Sequence, residues 1–160
     1  MLWNPLLGIA KPLGGIKKTI IETNKMIKTK HKYINENIVK RDDTSLILGT
    51  IHPHQTNDFL IDFFYGNTNS IWSILAELFP KYNFDSKENI INTLQLNNIW
   101  ISDLILECDR ENEKVTQDKE LKNIKLNVDQ IREGIENSKI KTIYFTSGFI
   151  TVPLKSKKVL

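Results

Sequence analysis

The sequence predicts an α/β domain, a three-layer α/β/α sandwich on a short parallel sheet, and three observations carry that prediction. First, three apolar runs, Leu46 to Leu48, Ile99 to Leu106 and Thr142 to Thr146, have the continuity of strands covered on both faces. Second, helical patterns lie between them, giving the order β–α–α–β–loop–α–β. Third, the first run stops at Gly49-Thr50 and the last at Ser147-Gly148. Polar loops after such stops are where open α/β sheets place ligands.

Residues 1–15 are rich in Gly and Pro and read as irregular. From Ile16 to Lys30, apolar residues at 16, 20, 21 and 27 among lysines give a helix-like pattern. His31 to Asp43 is polar, with Tyr33, Ile34 and Ile38 as anchors, and Asp42-Asp43-Thr44 turns into the first strand, Ser45 to Thr50. Ile71, Ile74, Leu75 and Leu78 form a helical stripe within Ser70 to Phe79, which Pro80 ends. Ser86 is the N-cap candidate of the next helix, around Ile90, Ile91, Leu94 and Leu96. The second strand holds Asp103. Glu107 to Lys125 is so highly charged that it reads as a surface loop or a short helix, and Asp129 to Ser138 forms the last helix. Three strands make a small sheet, so either the N-terminal region adds a strand or the last strand of the domain is lacking. The predicted organisation is a basic, partly helical arm over residues 1–43 and one α/β domain over residues 44–160.

With 160 residues the chain is long enough for one domain with a real core. A single cysteine, Cys108, excludes a disulfide framework and a cysteine-ligated metal or iron–sulfur site, and fits a reducing, cytoplasmic setting. The opening, broken by Pro5 and Pro12, is a poor signal peptide, and no run has the length of a membrane span. The net charge of +3 hides an asymmetry: residues 1–41 hold nine Lys or Arg against two Glu, +7, and the remainder carries −4. A basic arm on a mildly acidic domain is either a solubilising segment or a nucleic-acid contact, with Lys28, Lys30 and Lys32 as DNA-binding candidates. His52 and His54 flank a proline, but His31 is the only other histidine, so no metal or other cofactor is expected.

The strand end LILGT, the loop IHP and the string DFFYGNTNSIW (Asp62 to Trp72) resemble the uracil-DNA glycosylase superfamily, most closely its hypoxanthine and uracil branch. IWISDLI and IYFTSG match in the right order, so the resemblance covers Leu46 to Gly148. It implies an enzyme of DNA base-excision repair that hydrolyses the N-glycosidic bond of uracil or hypoxanthine, acts as a monomer on DNA, and needs no cofactor or membrane. Such an enzyme flips the nucleotide out, holds the base by its edge and faces, and stabilises an oxocarbenium-like sugar and a departing base anion. The resemblance puts Asn69 at the catalytic asparagine, with Asn67 the alternative if the register differs by two. It gives base-binding roles to the backbone of Gly49, Thr50, Ile51 and His52, and to Phe64 or Tyr65 as the stacking ring. The plain readings beside these are that Asn69 is an N-cap, that the aromatics are core, and that Asp103 either activates water or bonds backbone at a strand end. Family members carry a further strand and a Pro-containing loop that SGFITVPLKSKKVL does not supply, so the chain is expected to be truncated or divergent there, and both an active and an inactive relative stay open. The alternatives are a non-catalytic nucleic-acid or nucleotide-binding domain and an interaction module.

Overall fold

A computed structural model describes residues 25–67 and 70–147. In chain order its elements are β1 (Ile27–Lys30), β2 (Ser45–Gly49), α1 (Ile71–Leu78), α2 (Lys87–Leu96), β3 (Ile99–Asp103), β4 (Ile105–Arg110), β5 (Lys122–Leu126), α3 (Val128–Glu136) and β6 (Thr142–Phe145). A single 3₁₀ turn, Asp118–Glu120, precedes β5. The fold is mixed α/β, with two three-stranded sheets among the described residues.

The three apolar runs form one sheet of order β3-β2-β6, and both pairings are parallel, with Gly49 opposite Asp103 and Leu48 opposite Phe145. Alternate residues of β2 serve two clusters. Ile47 and Ile101 pack with Trp72 of α1, Ile90 and Leu94 of α2, and Phe63, Phe64 and Tyr33. Leu46, Leu48 and Trp100 pack with Ile131 and Ile135 of α3. In β2 and β3 the absence of alternation is therefore the signature of a strand buried on both sides, whereas the edge strand β6 leaves Tyr144 and Phe145 exposed. Gly134 lets α3 approach closely, since a Cβ there would lie 2.6 Å from the Trp100 ring.

Hydroxyl caps set two helix starts. Ser86 Oγ accepts from the Asn89 N–H at 3.2 Å, as the sequence leads one to expect. Ser70 Oγ accepts from the Trp72 N–H at 3.3 Å, so the cap of α1 is Ser70 and the N-cap reading of Asn69 is superseded. Trp72 then ties α1 to the aromatic loop by donating Nε1–H to the Phe64 carbonyl at 2.6 Å.

Four expectations need correction. Ile99 to Leu106 is two strands: the chain runs beside β2 as far as Asp103, Leu104 and Ile105 donate to the Gly49 and Thr50 carbonyls, and β4 then joins a second, antiparallel sheet of order β1-β4-β5. Both halves are apolar, so composition could not mark the break. Glu107 to Lys125 is a loop, with the 3₁₀ turn Asp118–Glu120, only in its middle, and its two ends belong to β4 and β5; the strand at its start was hidden because the inward residues of β4 after Ile105 are Cys108 and Arg110 and give no apolar alternation. Ile27–Lys30, placed in a helix-like pattern, is strand β1, and it pairs with β4 in this second sheet. Ile38, read as an anchor, is exposed, while Tyr33 is fully buried. The helix-like residues 16–24, the rest of the basic arm and the tail from Gly148 lie outside the described residues, as does Asn69.

Candidate active site

The site is built where β2 and β3 end side by side. Gly49 closes β2, and the loop Thr50 to Pro53 leaves the sheet beneath the aromatic turn that carries Phe64 and Tyr65. Thr50, Ile51, His52, Pro53, Phe59, Phe64, Tyr65, Asn67 and Asp103 surround one cavity of ≈ 80 Å³. A larger depression of ≈ 440 Å³ lies at the opposite, amino ends of β2 and β6 and contains none of the residues singled out from the sequence.

Asp103 organises the floor. Its residue is 3% exposed. Oδ2 lies 2.7 Å from His31 Nε2, and Oδ1 accepts from the Tyr65 hydroxyl at 3.2 Å. The Tyr33 backbone N–H donates to His31 Nδ1 at 3.1 Å, so Nδ1 is an acceptor and the proton toward Asp103 sits on Nε2. Tyr65 reaches Asp103 through a left-handed φ of 54°, an uncommon conformation for a residue with a Cβ, held here at a candidate site. Its ring passes over Gly49, where any Cβ would collide with the Tyr65 hydroxyl and the Asp103 carboxylate. Thr146 Oγ1, just beyond β6, lies 2.8 Å from the same phenol oxygen. Burial, and then the negative charge of Asp103, push the Tyr65 hydroxyl well above its ordinary range, so it remains a donor.

His52 is held as a neutral ring. His52 Nε2 accepts from the Lys32 backbone N–H at 2.9 Å, and Nδ1–H donates to the Pro53 carbonyl at 2.6 Å. Burial is the main cause that lowers its pKa. His54 Nδ1 meets the Thr29 hydroxyl at 2.9 Å. Among the described residues no group of three His, Cys, Asp or Glu side chains is placed to hold a metal ion.

Arg110 fastens the loop to the second sheet. Its guanidinium is buried and donates to the His52 carbonyl at 2.9 Å, to Thr29 Oγ1 at 3.0 Å and to the Val115 carbonyl. Ile51 packs against the Ile105, Cys108 and Leu121 cluster beneath it.

Of the base-binding candidates, Thr50, Ile51, His52, Phe64 and Tyr65 line the cavity and Gly49 forms the close approach behind it. Phe64 is also core, in ring contact with His31, Tyr33 and Phe63. The half-buried Phe59 is a second wall that the sequence did not single out. Lys28, Lys30 and Lys32 lie on β1 and just beyond it, all exposed. Lys28 pairs with Glu107 at 2.8 Å and Lys32 with Asp62 at 2.6 Å, surface ion pairs that contribute little to stability. His31 and Arg110 were missed because their roles depend on pairing between distant segments. Asp103 inside an apolar strand was the one visible signal. No helix among the described residues is long and apolar enough to cross a membrane. Comparison with protein-family models, curated proteins and solved structures gave no match.

Proposed function

We propose that this chain has a uracil-DNA glycosylase-like three-layer fold and acts in the cytoplasm on DNA, excising uracil or hypoxanthine by hydrolysis of the N-glycosidic bond. The observation that carries the reading is the convergence of the Thr50 to His52 loop, Phe64 and Tyr65 on one cavity at the carboxyl ends of parallel strands. That is the crevice in which an open α/β sheet takes a ligand, and its walls are aromatic. Phe59 and Phe64 offer faces to a flipped base. The resemblance gives the loop backbone the task of holding its carbonyl oxygens, and Gly49 keeps the site narrow at the strand end. Asn69 follows from the resemblance as the residue that positions water beneath the sugar carbon.

In this mechanism the protein supplies fixed dipoles in a water-poor pocket, so the departing base anion meets donors that need no reorganisation. Lys28, Lys30 and Lys32 contribute phosphate contacts beside the pocket, which they can do because exposed ion pairs exchange partners at little cost. The test is incubation of the 160-residue chain with oligonucleotides, single- and double-stranded, carrying one uracil or one hypoxanthine. Alkaline strand breakage at the modified position is expected. Uncleaved DNA at stoichiometric protein would overturn the assignment, and retained DNA binding in that case would point to a non-catalytic binding domain.

A further inference from the structure

We infer that Asp103 reads the base, its carboxylate accepting a hydrogen bond from the lactam N–H that uracil and hypoxanthine share. This rests on the reading of the cavity as a base pocket and goes beyond it in naming the specificity group. Deamination replaces a ring nitrogen lone pair and its neighbouring amine, in cytosine or adenine, by an N–H and its neighbouring carbonyl. A buried group that only accepts can detect that change.

Asp103 is the one charged residue in the cavity lining. Its side chain is 5% exposed, which places it at depth among the lining residues. Its two oxygens are oriented by donors on either side, His31 Nε2–H and the Tyr65 hydroxyl. A carboxylate has about four lone-pair sites, so two bonds leave acceptor capacity for a ligand N–H. The backbone bond to His31 Nδ1 fixes the proton on the opposite nitrogen, so His31 donates to Asp103 and the carboxylate is the acceptor in that pair. A ring nitrogen lone pair set against it meets repulsion and no bond. Thymine and guanine carry the same N–H, so their exclusion falls to the shape of the cavity and not to Asp103.

The Asp103→Asn variant reverses the polarity in a defined direction. The His31 donor holds the amide oxygen, which leaves the NH₂ at the other position, beside Tyr65 in the cavity lining. Free bases serve as probes, because their binding needs no cleavage: uracil, 3-methyluracil, whose methyl group replaces the lactam hydrogen, and cytosine. Binding to the full chain is followed by ligand-observed NMR at millimolar concentrations. Uracil is expected to bind about 10- to 100-fold more tightly than 3-methyluracil and cytosine, the range for a hydrogen bond to a charged group. In Asp103→Asn that preference over cytosine is expected to be lost or reversed. Equal binding of uracil and 3-methyluracil, no binding of uracil, or an unchanged preference in a folded Asp103→Asn protein would overturn the inference. If the variant does not fold, the methyl comparison on the native chain decides. Selective uracil binding without cleavage of uracil-containing DNA would retire the excision reading and leave Asp103 in place. Cleavage without that selectivity would do the reverse.

Discussion

Replacing Gly49 by alanine probes the packing on which the site depends. The added methyl would stand 2.9 Å from Tyr65 Cζ and inside contact distance of the Tyr65 hydroxyl and Asp103 Oδ1. The backbone at Gly49 cannot retreat, because it is paired to β3 on one side and followed by Gly49 O accepting from Leu104 N–H. The ring and the carboxylate must therefore part. Overpacking of this kind costs about 1–3 kcal/mol. The Tyr65 bond to a charged acceptor adds about 1.5 kcal/mol or more when it is lost. A net loss near 3 kcal/mol lowers Tm by about 6–12 °C in a chain of this size. The assay is thermal unfolding of wild type, Gly49→Ala, Tyr65→Phe and the double variant. Removing the hydroxyl relieves part of the clash, so the double variant is expected to be more stable than the two single losses add up to. A Gly49→Ala protein that melts within about 1 °C of wild type would refute the reasoning.

Other outcomes follow from the same geometry. Arg110→Met leaves the His52 and Val115 carbonyls and the Thr29 hydroxyl without their donor, and is expected to cost about 3 kcal/mol in chemical denaturation. His52 has a folded pKa below its ordinary 6.5 because it is buried. The unfolded chain then binds the proton more readily, so the contribution of His52 is fully present above pH 6.5 and is lost as pH falls from there through the folded value. A His52→Gln variant should flatten the stability-versus-pH curve in that window, and an identical curve would exclude the effect. DNA binding should weaken steeply with salt, and charge removal at Lys28, Lys30 or Lys32 should each lower the slope of log K against log salt by about 1 if it contacts phosphate.

How much could be read beforehand divides along physical lines. The parallel sheet was legible because Leu46 to Leu48 is buried on both faces, and such burial leaves a direct trace in composition. The cap of α2 and the existence of α1 are likewise local, but the face α1 buries is set by Trp72, and Ile74 and Leu78 of the expected stripe are exposed. The cavity-lining loop was legible because Gly49, the proline loop and the aromatic turn are contiguous in sequence. The second sheet was not, since its edge strands IKTK and KNIKL carry the lysines that protect sheet edges, and lysines look like solvated loop. The side chains that hold Asp103 were hidden for a different reason. His31 meets it across 72 positions and Tyr65 across 38, and no local pattern encodes such a meeting. Arg110 shows the same limit, as its buried guanidinium is satisfied by carbonyls whose positions exist only after folding.

The central claim is tested most directly by single-turnover cleavage of a duplex with one uracil or one hypoxanthine, comparing wild type with Asn69→Ala at matched DNA occupancy. The account predicts cleavage at the deaminated base by wild type, and at least about 100-fold slower cleavage by the variant at nearly unchanged DNA affinity, since the proposed role of Asn69 is toward water and sugar and not toward phosphates. Cleavage at equal rates by the two proteins, or none by wild type, would contradict it.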